Sequence, residues 1–167
     1  MMKKLVKENL SFIIVFFLII FLQLFVVAQT TVSGESMNHT LQDKDRNIIL
    51  KNTSIDRFDI IVFKTKEITG EDKRYVKRVV GLPGEKVSYQ NSQLFINDKP
   101  VKETFDLKDK ELTNDFSYTL NNDEFFVLGD NRGNSTDSRH IGAIKKDYIV
   151  GKVIYRIYPF NSIGPVN

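Results

Sequence analysis

The sequence has no cysteine, only two histidines, and no surplus of either charge large enough to define a partner. Absence of cysteine excludes a disulfide scaffold, a thiolate zinc site, a thiol nucleophile and a dithiol redox centre. His39 and His140 are too few to assemble a recognisable set of metal ligands, and scattered carboxylates such as Asp43 and Asp45 read as solvated turn residues. The 24 Lys and Arg against 21 Asp and Glu leave a net charge of +3, of which Lys3, Lys4, Lys7 and Glu8 supply +2. Charges interspersed in this way do not form the basic stripe that a nucleic-acid footprint needs. No internal repeat and no long amphipathic helix is visible. The expectation is a protein without metal, cofactor or nucleic-acid partner, whose chemistry rests on oxygen and nitrogen groups. With 167 residues, 27% charged and 41% hydrophobic, the balance is globular and the length suits one domain.

What the chain does have is one long apolar run. Leu10 to Ala28 carries no charge, and only Ser11 and Gln23 in it are polar. At 1.5 Å per residue it spans roughly 28 Å, close to a hydrocarbon core of about 30 Å. This predicts one N-terminal transmembrane helix over residues 10–28. The basic residues precede it and none of the next five is basic, so the positive-inside rule makes residues 1–9 a cytoplasmic tail and puts residues 29–167 outside as an extracytoplasmic domain. A cleavable signal peptide shares the basic start and the small residues at Val26 and Ala28. Its apolar part is usually about 7 to 15 residues, shorter than this run, which favours a retained anchor.

Beyond the run, short segments rich in Val, Ile, Phe and Tyr predict strands over 47–50, 58–64, 75–81, 85–89, 94–97, 124–128 and 149–158. No helical pattern separates them, so the fold class is all-β or β-rich with antiparallel pairing. Val87–Tyr89 and Leu94–Ile96 form a predicted hairpin around residues 90–93. Residues 99–122 are the most polar and least regular, and read as a variable insertion or flexible excursion.

Three polar clusters could carry chemistry. The first, Ser33-Gly34-Glu35-Ser36-Met37-Asn38-His39-Thr40-Leu41, starts five residues after the apolar run, so its serines sit near any membrane surface. Gly34 allows unusual backbone angles beside a nucleophile whose own N–H must face a developing oxyanion. Asn38 stands where a nucleophile elbow would need its second glycine. The second is Tyr75-Val76-Lys77-Arg78-Val79-Val80-Gly81-Leu82-Pro83-Gly84-Glu85. Alternation along a strand sends Lys77 and Arg78 to opposite faces, so one of them faces inward. A lysine among valines is partly desolvated, which lowers its pKa and makes it a general base. The third runs from Gly129 to Gly142 after an apolar strand and packs glycines, carboxylates, hydroxyls and two arginines into one hydrogen-bonded loop.

In this order the three clusters, with the apolar run and the segment Arg57-Phe58-Asp59-Ile60-Ile61-Val62, resemble the type I signal peptidases of bacteria, the membrane-anchored serine proteases of family S26. The resemblance covers nearly the whole chain. It implies a β-rich extracytoplasmic catalytic domain behind one transmembrane helix, and a Ser/Lys dyad that removes signal peptides from exported preproteins through an acyl-enzyme. By the resemblance Ser36 is the nucleophile and Lys77 the general base. Ser135 would orient the lysine amine and Met37 would pack beside the nucleophile. Arg78, Asp130, Asp137 and Arg139 would form supporting salt bridges, with Asn131 and Ser138 in the same loop. Gly34, where some members carry a hydroxyl residue, resembles the Gram-positive pattern and leaves the second oxyanion donor unidentified. His39 departs from the family's usual proline, which frees φ at that turn. The implied partners are signal peptides of preproteins, the lipid bilayer and a nearby secretion translocon.

Two other readings compete. A Ser-His-Asp triad could use Ser36, His39 or His140, and Asp130 or Asp137. An inactive, membrane-anchored homologue with a binding role would be expected to lack Ser36 or Lys77, and both are present. Glycosylation sequons begin at Asn38, Asn52 and Asn134, two of them inside the polar clusters where a glycan would obstruct substrate, which points to a bacterial surface.

Overall fold

A computed structural model of the chain describes residues 9–110 and 113–166. The predicted cytoplasmic tail, apart from Asn9, and residues 111–112 of the predicted insertion lie outside the described residues. The apolar run begins as helix α1, Leu10–Phe21, whose side chains are exposed nearly all round, and continues through a π-helical turn over Leu22–Val26. Its last carbonyls are satisfied from outside the helix: Lys51 Nζ donates to the carbonyls of Gln23 and Leu24 at 3.3 and 2.9 Å, and Asn52 Nδ2 donates to that of Phe25 at 3.2 Å. Among the described residues no helix is long and apolar enough to cross a membrane. Val27 and Ala28, expected in the helix, instead start the edge strand β1, Val27–Thr31, because their backbone pairs with the strand over residues 46–50.

The strands that follow are β2 Arg46–Leu50, β3 Ile60–Lys64, β4 Arg74–Gly81, β5 Lys86–Gln90, β6 Gln93–Ile96, β7 Lys99–Val101, β8 Phe116–Thr119, β9 Glu124–Leu128, β10 Ile144–Lys145, β11 Ile149–Tyr158 and β12 Gly164–Pro165. Two one-turn helices, α2 Lys66–Thr69 and α3 Ser138–Ile141, interrupt them. A large sheet runs β1-β2-β11-β3-β4-β9-β10, with β12 pairing β11, and a second sheet runs β7-β6-β5-β8. All pairings between these strands are antiparallel, as expected of a β-rich fold without crossover helices. The seven predicted strands all appear within a residue or two of their expected bounds. The hairpin β5–β6 closes at Gln90↔Gln93 over Asn91 and Ser92, both at positive φ, the backbone that a two-residue turn between twisted strands demands.

The large sheet is covered on both faces, so β3 reads as an unbroken apolar run. Ile60 and Val62 pack with Met37, Leu41, Ile49 and Val153, while Ile61 and Phe63 pack with Val79, Phe125, Val127 and Ile144. A third cluster, including Val80, Val87, Tyr89, Leu94 and Phe126, joins the second sheet to the first. Burial of both faces also corrects the expectation that only one of Lys77 and Arg78 would face inward: both are buried, at 4% and 1% exposure. What covers Arg78 is part of the segment expected to be a flexible excursion. Phe105 lies 4.0 Å from the Arg78 guanidinium and packs edge-on to Phe58. That segment also supplies β7 and β8, so most of it is integral to the fold.

Candidate active site

Strand β4 places the site. Its residues Arg74–Arg78 pair with β3 on one edge, but β9 pairs the other edge only over Arg78–Gly81. Residues 74–77 therefore present an edge that no described strand covers. The turn over residues 33–41 approaches this open edge, and Lys77 Nζ donates to Ser36 Oγ at 2.7 Å and to the Val76 carbonyl at 3.0 Å. Around the pair is a cleft of about 430 Å³ lined by residues 31–37, residues 74–77, Asn134 and Thr136.

The electrostatics of Lys77 suit a base. Burial brings its pKa down to about 8, against the opposing pull of the Asp137 and Asp130 carboxylates. Both of its hydrogen bonds go to neutral oxygens, and the Tyr75 ring lies 5.3 Å from Nζ. At pH 8 about half of the lysine is the neutral amine, able to accept a proton from Ser36 Oγ.

The predicted supports fall into two groups. Arg78 and Asp130 form a fully buried pair: Nε and Nη2 meet the carboxylate at 2.9 and 2.8 Å, and Nη1 donates to the Phe58 carbonyl at 2.8 Å. Thr40, at the end of the nucleophile turn, donates to Asp130 at 2.6 Å and accepts from Arg78 at 3.2 Å, a role the sequence reading missed. The second group lies in the loop after β9. Burial alone would raise the Asp137 carboxyl, but hydrogen bonds and charge from Arg139 and the Gly129 N–H outweigh it and hold the pKa below its ordinary value. Ser138 Oγ accepts from the Val127 N–H at 3.0 Å, tying the loop to β9. Met37 is 1% exposed in the core beside the nucleophile. Gly34 has φ +93°, the region that favours glycine, and its N–H is taken up by Asp43 at 2.9 Å.

Ser135, expected to orient the lysine amine, makes no hydrogen bond to it in this structure. Its hydroxyl is buried and has no hydrogen-bond partner among the described residues; the hydrogen-bond partners of Lys77 Nζ are Ser36 and the Val76 carbonyl. Gly129, absent from the predicted site, explains how closely this loop approaches the nucleophile. A Cβ there would lie 2.2 Å from Ser135 Oγ and 2.5 Å from the Ser36 carbonyl oxygen. The only signal for it in the sequence is a glycine directly after an apolar strand. Neither histidine joins the serine: His39 Nδ1 pairs with Asp106 at 3.0 Å, and among the described residues Lys77 is the side chain that bonds Ser36 Oγ.

Comparison with known proteins gives a concordant picture. Residues 3–158 match the family described as signal peptidase, peptidase S26. The chain is 36% identical to signal peptidase IB of Staphylococcus aureus strain Mu50 over 183 aligned positions, covering 97% of this chain and 94% of the relative. It is 41% identical to signal peptidase I of Bacillus caldolyticus over 160 positions, 86% of each chain. Among solved structures it resembles a signal peptidase I from Enterococcus faecalis V583, with a TM-score of 0.53 and 34% identity, covering 60% of this chain and 97% of the other.

Proposed function

This chain belongs to the signal peptidase S26 family, and we propose that it acts through Ser36 as nucleophile and Lys77 as general base, anchored to a membrane by its N-terminal apolar run. It is a serine endopeptidase that removes signal peptides. The observation that carries the dyad is the 2.7 Å contact between Lys77 Nζ and Ser36 Oγ, made by a lysine whose pKa burial has brought to about 8.

In the mechanism this supports, neutral Lys77 accepts the Ser36 proton as Oγ attacks the scissile carbonyl, and the protonated amine then gives that proton to the leaving nitrogen. Water, deprotonated by the same lysine, releases the acyl-enzyme. The substrate lies extended along the open edge of β4 at residues 74–77, where main-chain hydrogen bonds give affinity and alternate side chains enter the cleft. Small residues at the first and third positions before the cut fit such a site, as the family implies.

Membrane anchoring draws on the exposed surface of α1 and its π-helical turn. Phe12, Phe16, Phe17, Leu24 and Phe25 are all more than half exposed, an apolar surface that water would not tolerate. With residues 1–9 in the cytoplasm, the domain from residue 29 onward faces outward, in the neighbourhood of the translocon. A signal sequence held in the same bilayer then meets the cleft at high effective concentration.

The test is cleavage of a membrane-inserted preprotein by the detergent-solubilised chain from pH 6 to 10. Activity should rise through about pH 8 as Lys77 loses its proton, because only the neutral amine is a base. Ser36→Ala and Lys77→Ala should each lose about 100-fold or more, with His39→Ala and His140→Ala near wild type. Activity that survives in Lys77→Ala and disappears in His140→Ala would replace the dyad with a histidine triad.

A further inference from the structure

We infer that Asn131, backed by the buried Arg132–Glu103 pair, is a positioning residue that aims the Ser36 N–H at the oxyanion. The inference rests on Ser36 being the nucleophile. In the first step the Ser36 Oγ–carbonyl carbon bond forms, the hydroxyl proton passes to Lys77, and the carbonyl π pair moves onto oxygen. That oxygen needs a donor held ready before its charge develops.

Asn131 grips the nucleophile turn at two consecutive residues, Glu35 and Ser36. Asn131 Nδ2 donates to the Glu35 carbonyl at 3.2 Å, and the Asn131 N–H donates to the Ser36 carbonyl at 3.0 Å. The Glu35 carbonyl also accepts from the Asn38 N–H at 3.1 Å. In a planar trans peptide the N–H points opposite to the preceding carbonyl. Holding the Glu35 carbonyl toward Asn131 therefore turns the Ser36 N–H away from it, and among the described residues no group accepts a hydrogen bond from that N–H. Asn131 is 1% exposed and its Oδ1 has no hydrogen-bond partner, so the side-chain amide is committed to the Glu35 carbonyl alone.

Asn131 is itself fixed by the segment that the sequence presented as an excursion. The Lys108 N–H donates to the Asp130 carbonyl at 3.0 Å, and the Arg132 N–H donates to the Lys108 carbonyl at 2.9 Å, bracketing Asn131. Arg132 Nε donates to the Gly129 carbonyl at 2.9 Å, while its Nη groups meet Glu103 and, at 3.0 Å, Tyr89 Oη. Tyr89 Oη in turn donates to Glu103 at 2.8 Å. Both charged side chains are at most 1% exposed. A buried pair of this kind adds little net stability because desolvation opposes it, but it admits few geometries. It thereby fixes the far side of the oxyanion donor.

The test uses the full chain in detergent and two probes: a peptide boronic acid ending in alanine, which forms a tetrahedral adduct on serine, and the same peptide extended with a reduced, uncleavable bond at the scissile position. Asn131→Ala should lower kcat by about 10-fold or more with KM little changed, and weaken boronate binding in parallel, since loss of a whole oxyanion donor costs about 100- to 1000-fold. The reduced-bond peptide should bind as in wild type. Asn131→Asp, of equal size, should lose as much because its oxygens face a carbonyl oxygen. Glu103→Gln should shift in the same direction by less. The inference is overturned if folded Asn131 variants keep kcat within about twofold, or if both probes weaken equally. Should Glu103→Gln fail to fold, the Asn131 pair decides. If the wild type cleaves substrate yet takes up no boronate, or Ser36→Ala still cleaves, the nucleophile assignment falls first and this inference with it.

Discussion

Lys77 and Arg78 are neighbours on one strand, both buried and pointing to opposite faces, and the chain treats their charges in opposite ways. Arg78 is given a carboxylate, a carbonyl, a hydroxyl and an aromatic face, each within hydrogen-bond or stacking reach. Lys77 is given two neutral oxygens, with the nearest carboxylates acting only through space. The partners of Arg78 repay the desolvation of its guanidinium. Lys77 sheds its proton near pH 8 because the distant carboxylates repay less than burial costs. The same depth of burial yields a brace on one face and a base on the other; the difference lies in what the surroundings offer.

Breaking the brace should have the larger effect on stability. Arg78→Met strands Asp130, which is 0% exposed, without its cation, and removal of one partner from a buried pair costs about 3–5 kcal/mol. Denaturant unfolding at pH 7 should show an unfolding free energy lower by that much. Adding Asp130→Asn, which removes the stranded charge, should recover part of the loss. A single variant as stable as wild type would mean that Asp130 is held by its other partners.

Removing the base should do the reverse. Lys77→Met abolishes cleavage but should stabilise the fold by about 3 kcal/mol at neutral pH, the equivalent of lowering a pKa from 10.5 to about 8. The sign follows from proton counting. Below pH 8 Lys77 is charged in both states and the full desolvation cost falls on the folded one. From pH 8 to 10.5 the unfolded chain still holds a proton that the folded chain has shed, so wild-type stability gains on the variant. Parallel unfolding of both proteins at pH 7 and pH 10 measures it, and a pH-independent difference would contradict the depressed pKa.

How much of this contrast the sequence carried depends on range. Strand periods, the Asn91-Ser92 turn and the order of the polar clusters are local, and the structure places them where they were expected. That Lys77 would be desolvated was legible from the valines around it. The second buried face was not, because it depends on Phe105 and Glu103 returning from a polar segment whose own pattern is irregular. Gly129 and Thr40 were missed for a related reason: their roles are contacts with residues close in space but distant in sequence. The helix end at Val26 was misplaced by two residues because strand pairing with β2 overrides the apolar composition of Val27 and Ala28.

The weakest perturbation tests whether the turn carrying Ser36 depends on its outer surface or its inner one. His39 stands where the resembled family usually has proline, and in place of the ring it has a hydrogen bond from Nδ1 to Asp106 at 3.0 Å, with the two side chains 58% and 71% exposed. An exposed pair of this kind contributes about 0–1 kcal/mol. The inner surface of the same turn is held by the buried Arg78, Asp130 and Asn131 and by the half-buried Thr40. His39→Ala should therefore lower stability by no more than about 0.5 kcal/mol and leave kcat/KM within about twofold, measured on the preprotein at pH 8. A loss approaching that of Arg78→Met would show that the clasp to Asp106, and with it the whole 99–110 segment, holds the nucleophile from outside as firmly as the buried brace does from within.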